Sequence, residues 1–236
     1  MRTSKLSNEV IEIILSSCSD GTWRQYSSHI NKWSIYCKDN NVDLFSSGVN
    51  DILSFLVQLF QNKLSYSSIN TARSALSMIC TPVNGTPVGQ DLLVLRFMKG
   101  ISKKRPAVSR YSVTWDANRV LQLFKSWSDN ENLSLENLTL KLVGLLALVT
   151  AQRVQTLSLI VMSNIMFDES VVKIMIKDLI KTSKVGVSNP VLILPSYEVD
   201  PKICVVKTLN EYMKRTKDVR KSNKLLISYA KPHNCV

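Results

Sequence analysis

Apolar residues recur along the first hundred positions at the three- and four-residue steps of amphipathic helices. Ser7 is placed to cap a helix reaching about Cys18, and Asp20 or Thr22 to cap a second reaching about Asp39. In that second helix Trp23, Tyr26, Ile30, Trp33 and Cys37 form one apolar stripe. A third helix, about Val49 to Gln61, is strongly apolar (Ile52, Leu56, Leu59, Phe60) and is expected to be the core of a bundle. A fourth runs from near Ser65 to Cys80, ahead of Pro82, with Ile69, Ala72, Leu76 and Ile79 inward. A fifth covers about Gln90 to Ser102. The periodicity then stops: Lys103 to Tyr111 is basic, holds Pro106 and marks a domain boundary.

The second half mixes element types. A helix from about Trp115 to Trp127 precedes a polar loop, Ser128 to Glu136. The nearly unbroken apolar run Leu138 to Val149 reads as a helix buried on all sides. The segment carrying Arg153 adds a short helix to about Ile160. Ile165 to Phe167, a turn at Asp168-Glu169 and Val171 to Lys177 read as a hairpin, because Val172, Ile174 and Ile176 alternate with Lys173, Met175 and Lys177. Pro190 to Leu194 is a third short strand. Asp200-Pro201 opens a helix to about Lys217, with Asp as cap, Pro first and Val205, Leu209 and Tyr212 inward. Leu225 to Ser228 reads as a strand or an extended tail. The expected fold class is mainly α with a small β-sheet, in two domains. Residues 1–105 form a helical bundle, 106–111 a basic linker and 112–236 a mixed helix-and-sheet domain.

The chain has 236 residues, 45% of them hydrophobic, enough for packed cores and too many for wholesale disorder. Its net charge is +12. Lys and Arg outnumber Asp and Glu by 13 to 7 before residue 111 and by 17 to 11 from there on, an excess of six in each half. A field positive over both halves suits a polyanion, and nucleic acid before others. The five cysteines are odd in number, show no CxxC spacing and have only His29 and His233 beside them. That composition gives no readable zinc site and fits a reducing compartment. Met1 to Asn8 is too polar for a secretory signal, and the apolar run near Leu142 to Val149 is too short to cross a bilayer. The protein is expected in the nucleus of a eukaryote, or otherwise in the cytoplasm, without membrane association.

The candidate chemistry is a phosphate grip. Arg153 follows the apolar run directly, and an arginine at the end of a buried helix is costly unless an anion faces it. Lys181, in Lys181-Thr182-Ser183-Lys184, sits at a strand-to-strand turn, with Lys184 as the fallback and Lys177 inside the strand pattern. A guanidinium fork plus an ammonium is good equipment for a phosphate. A surface cap for Arg153 and an ordinary hairpin lysine for Lys181 remain open as plainer readings. Arg24, Ser28 and Lys32 line one polar helix face, and Asn70, Arg73, Ser74 and Ser77 another. Short hydroxyl and amide side chains mixed with Arg suit close contact with a nucleic-acid backbone, as they also suit a solvated helix surface. Arg96 to Arg110 carries six positive residues and no acidic one. Within it Lys99, Lys103, Lys104 and Arg105 are DNA-facing candidates, and a solvated helix end is the alternative. With no glycine-rich phosphate loop, paired carboxylates or nucleophile–base set, no cofactor or metal is implied.

Thr150-x-x-Arg153 on a helix, followed by a hairpin lysine at Lys181, resembles the start of the catalytic domain of tyrosine recombinases, the phage-integrase family. Gln152-Arg153-Val154-Gln155-Thr156-Leu157, the stretch from Lys181-Thr182-Ser183 through Pro190–Pro195 to Ile203-Cys204, and Lys231-Pro232-His233 are similar to recombinases of eukaryotic mobile elements. The resemblance runs from about Ser19 to the end. It implies a SAM-like, helical core-binding domain at 1–105 and the first portion of an α+β catalytic domain at 112–236. Together these would clamp double-stranded DNA, with Arg153 on the scissile phosphate and Lys181 helping to protonate the leaving oxygen. In the family a tyrosine forms a 3′-phosphotyrosyl link, and strand exchange, the step of DNA recombination and integration, follows inside a homo-oligomer without metal. The family's His/Lys-x-x-Arg motif, its His or Trp and its nucleophilic tyrosine have no counterpart before Val236. His233 is followed by Asn234-Cys235-Val236, and Thr156 stands where the family usually has Glu or Asp. The chain as given is therefore expected to bind DNA without cutting it alone. Two other classes stand beside this one: a non-enzymatic DNA-binding regulator or co-opted mobile-element fragment, and a helical protein–protein adaptor.

Overall fold

The computed structural model describes residues 7–106, 111–168 and 171–234. The chain divides into two compact units, Met1–Ser112 and Val113–Val236. Residues 107–110 of the expected linker, Glu169 of the expected hairpin turn and Cys235 lie outside the described residues. The fold is mainly helical with a small three-stranded antiparallel sheet.

Unit 1 contains helices α1 (Asn8–Leu15), α2 (Asp20–Asn40), α3 (Val49–Gln61), α4 (Tyr66–Ile79) and α5 (Leu92–Lys104). Serines start three of them: the hydroxyls of Ser7, Ser19 and Ser65 accept from Val10, Thr22 and Ser68 N–H. Ser19, extended and one residue before Asp20, is the cap of α2 in place of Asp20 or Thr22, because only an extended residue can turn its oxygen onto the free N–H groups of the first turn. α1 ends at Leu15, short of Cys18, and none of its residues is buried. α2 buries His29, Trp33 and Cys37, while Trp23, Tyr26 and Ile30 of the expected stripe are half-buried.

The core gathers Trp33, Ile52, Phe55, Leu56, Ile69, Ala72, Leu76, Val94, Met98 and Ile101. Phe55 takes the deep position expected of Phe60; its ring meets Trp33 edge-on at 5.1 Å between centroids. The Trp33 indole donates to the Leu44 carbonyl at 3.0 Å, so its one polar group is satisfied inside the core. α5 runs through Lys104, which puts Lys103 and Lys104 on the helix and not in a linker.

Unit 2 holds α6 (Ala117–Ser126), α7 (Leu135–Thr150), α8 (Val154–Ser158), strands β1 (Ile165–Phe167), β2 (Val171–Met175) and β3 (Val191–Pro195), and α9 (Val205–Thr216). The sheet is a meander in the order β1-β2-β3, with Ile165 opposite Ile174 and Ile174 opposite Leu192. Val172, Ile174, Leu192 and Leu194 bury one face in a core with Leu138, Leu142, Leu145, Leu146, Leu209 and Tyr212.

Three sequence expectations change here. α7 is not buried all round: Leu140 and Val149 are about half exposed, at 50% and 46%, and the buried side includes a lysine, Lys141. β2 stops at Met175, so Lys177 lies outside the strand and is exposed. The helix after Asp200-Pro201 is two pieces, a 3-10 turn Pro201–Ile203 capped by Asp200 and then α9. Cys204 breaks it, being extended with its Sγ taken by the Tyr197 N–H at 3.2 Å. The stretch Leu225 to Ser228 is not one of the three strands: Leu225 N–H donates to the Ile160 carbonyl at 2.8 Å, and Leu225, Leu226 and Ile227 are core.

Candidate nucleic-acid interface

Arg153 sits at a sharp break between two helices. α7 closes on Ala151, which is left-handed with φ 51° and gives its N–H to Ala147. Thr150 donates its hydroxyl to the Leu146 carbonyl at 2.6 Å and accepts from Gln152 N–H. Arg153 is then extended and occupies the cap position of α8, where its carbonyl accepts from Thr156 at 2.8 Å and Leu157 at 3.1 Å. Thr156 and Leu157 are buried, so the backbone under Arg153 is fixed from both sides. The side chain is exposed, and among the described residues its guanidinium has no hydrogen bond or ion pair. The burial argument for an anion does not apply: Arg153 stands past the buried helix and in water, where its charge costs little. Its case rests on a fixed backbone carrying an uncommitted fork.

Lys181 follows Ile180, which is buried in the same core as Leu157 and Ile176. Ile180 and Ser183 close the turn beneath it: Ser183 N–H donates to the Ile180 carbonyl, and Ile180 N–H donates to the Ser183 hydroxyl, both at 2.9 Å. The connection runs from 176 to 190, slightly longer than the 178–189 expected between strands ending at Lys177 and starting at Pro190. Lys184 lies at a second turn further on, bridged to Val187. Lys181 and Lys184 are exposed, and neither forms an ion pair among the described residues. Lys177 and Lys184 line one shallow hollow of about 550 Å³ with Met175, Leu179, Val187 and Val191. Arg153 and Lys181 are not among its lining residues. The two cations thus share a core as anchor without sharing that hollow.

In unit 1 the candidates fall into two groups. Arg24, Ser28 and Lys32 are exposed in a row along α2, and Lys99, Lys103 and Lys104 are exposed on α5. Arg96 joins the α5 row one turn before Lys99; the basic run marked it, and only helix geometry sets it beside Lys99 and Lys103.

The second group is committed inside the fold. Arg73 donates to Asn70 Oδ1 at 3.0 Å and to the Gly89 carbonyl, tying α4 to the 3-10 turn Val88–Gln90. Ser74 and Ser77 return their hydroxyls to the Asn70 and Arg73 carbonyls at 3.0 Å, as helix hydroxyls often do. Arg105 binds the Phe60 carbonyl in the last turn of α3 and the Leu64 carbonyl just beyond it, instead of facing out from a linker. These five are half-buried and act first as braces.

One buried charge was overlooked within the apolar run. Lys141 is fully buried, and its ammonium donates to Asn130 Oδ1 at 2.9 Å. Asn130 in turn donates to the Thr208 hydroxyl at 3.3 Å. Burial, helped by Lys202, pulls the Lys141 pKa below its ordinary value, against the pull of Asp129, Asp200 and Glu131. The signal was visible as the one charge interrupting Leu138 to Val149.

Among the described residues no group of three His, Cys, Asp or Glu side chains could hold a metal ion, and no helix is long and apolar enough to cross a membrane. No protein-family model matches the chain, and no curated protein matches it.

Proposed function

We propose that this protein binds double-stranded DNA through its phosphate backbone, in the manner of a tyrosine recombinase. In this reading unit 1 is a SAM-like core-binding domain and unit 2 the start of the α+β catalytic domain. Arg153 holds two non-bridging oxygens of one phosphate, and Lys181, with Lys184 as the fallback, approaches the phosphate as a point charge. Arg24, Ser28 and Lys32 on α2 and Lys99, Lys103 and Lys104 on α5 make further backbone contacts. Asn70, Arg73, Ser74, Ser77 and Arg105 enter only indirectly, as braces of the elements beside them. Of the recombinase apparatus the reading claims the phosphate grip alone; it proposes no strand cleavage by the residues of this chain. Assembly into a homo-oligomer and residence with DNA in a nucleus or cytoplasm belong to the same proposal.

The observation that carries the reading is Arg153: a guanidinium with no protein partner among the described residues, held on a backbone that the protein fixes from both sides. A fixed backbone limits where the fork can reach and leaves its donors open to two oxygens of one phosphate. The test is duplex binding by the full chain across a salt series. A phosphate grip weakens steeply as salt rises, and Arg153→Ala weakens it more than Lys217→Ala, an exposed lysine outside the proposed contacts. Binding that ignores salt, or equal effects of the two substitutions, contradicts it.

A second reading, a helical protein–protein adaptor, is favoured by α1, whose Ile13 and Ile14 are 71% and 55% exposed. An adaptor shows no salt-dependent affinity for duplex DNA, so the same series separates the two.

A further inference from the structure

The connection from β2 to β3 wears three of its apolar residues on the outside. Val185 is fully exposed, Leu179 is 87% exposed and Val187 63%. Lys177, Lys181 and Lys184 are interleaved with them and exposed. Asp178, the one acid between 176 and 190, is already held by Lys224 at 3.1 Å. The surface is therefore both cationic and aliphatic.

Its backbone is braced. Ile180 is buried at the root. Ser183 donates to Asn189 Oδ1 at 2.6 Å, and the Asn189 amide donates to the Ile176 and Asp178 carbonyls at 3.0 and 2.8 Å. Beyond this staple Lys184 and Val187 form a single bridge, and Val185-Gly186 is the tip. Gly186 has φ 73°, a conformation that costs glycine nothing and lets the tip turn back within two residues.

An aliphatic side chain at the end of a braced, lysine-flanked projection gains by leaving water, and the charge selects where it goes. The matching surface has anions at the rim and apolar faces behind them. A duplex groove offers that arrangement, with phosphates outside and stacked bases inside. We infer that the Val185-Gly186 tip is a wedge. With Lys181 and Lys184 on flanking phosphates, Val185 presses into a base step and loosens its stacking, with Leu179 nearer the root. This rests on the duplex-binding reading and adds to it where the DNA is deformed.

The experiment compares two duplexes of one sequence, perfect and carrying a single mismatch, by fluorescence anisotropy with the full chain. Unstacking is easier at a mismatch, so the unmodified protein binds the mismatched duplex roughly fivefold tighter. Val185→Ser abolishes that preference, and Leu179→Ser reduces it. Lys181→Ala weakens both duplexes in parallel and keeps the preference. Both apolar sites are exposed, so the fold tolerates these changes. The wedge is overturned if the protein shows no mismatch preference, or if Val185→Ser retains it, while salt-sensitive binding still supports the duplex reading. No binding to either duplex overturns both. Loss of self-association in Val185→Ser, with mismatch preference intact, makes the tip a protein contact and also overturns the wedge.

Discussion

The guanidinium of Arg105 lies 4.2 Å from the centroid of the Phe60 ring and donates to the Phe60 carbonyl at 3.1 Å. A second donor reaches the Leu64 carbonyl. One side chain at the end of α5 therefore ties the last turn of α3 to the connection after it, sharing the Phe60 carbonyl with the Lys63 N–H. What reads along the chain as one more charge in a basic run is, in space, a tie and a cation–π contact.

Arg105→Ala is accordingly expected to lower stability by about 1–3 kcal/mol, measured by denaturant unfolding of the full chain. Arg105→Lys recovers only part, because an ammonium cannot span two carbonyls while lying flat on the ring. Unchanged stability in the alanine variant contradicts the bracing role.

Gly89 and Ser77 make a second close approach. A Cβ on Gly89 would fall 2.0 Å from Ser77 Oγ and 3.2 Å from the Arg73 carbonyl. Gly89→Ala should cost about 1–3 kcal/mol by overpacking, and adding Ser77→Gly should restore part of it. Additive losses in the double variant rule out this contact as the cause.

His29 is buried on α2, and its Nδ1 has no hydrogen-bond partner among the described residues. Burial, and then the charge of Lys32, hold its pKa below the ordinary 6.5. The unfolded chain therefore takes up this proton first. The stability owed to neutral His29 is complete above pH 6.5 and falls as pH drops from there through the folded value. His29→Leu removes the titration, so unfolding midpoints at pH 7.5 and 5.5 should differ less for the variant than for the unmodified protein. Identical differences contradict the assignment.

Lys141 tests the buried charge in unit 2. Lys141→Met keeps most of the volume and removes the desolvated ammonium but leaves Asn130 Oδ1 without its donor, so stability falls by no more than about 1 kcal/mol. Lys141→Ala opens a cavity, also strands Asn130 Oδ1, and costs about 2–4 kcal/mol. Thermal melting distinguishes them; equal losses contradict the account.

Where one period ran uninterrupted, the sequence was legible. The bounds of α3, the capping serine at 7, the start of α4 near Ser65 and the β2 alternation from Val172 to Ile174 follow from local rules that need no tertiary partner. Three features stayed hidden because each depends on a residue far along the chain. Arg105 reaches back to Phe60, Arg73 reaches forward to Gly89, and Asn189 pins a loop rooted at Ile176. The break at Cys204 was hidden as well: its Sγ accepts from the Tyr197 N–H, a residue outside the helix pattern, and its carbonyl starts α9 by accepting from Thr208. At the candidate site the order helix, Arg153, hairpin, Lys181 was readable. Its setting was not: Arg153 turned out exposed because Ala151 reverses the chain before it.

The central claim is that Arg153 grips a backbone phosphate. The most direct measurement is the salt dependence of duplex affinity for the unmodified chain and for Arg153→Ala. Losing one phosphate contact should weaken binding at every salt concentration and make the slope of log affinity against log salt shallower by about 0.9. An unchanged slope, with affinity falling no more than in Lys217→Ala, would contradict it.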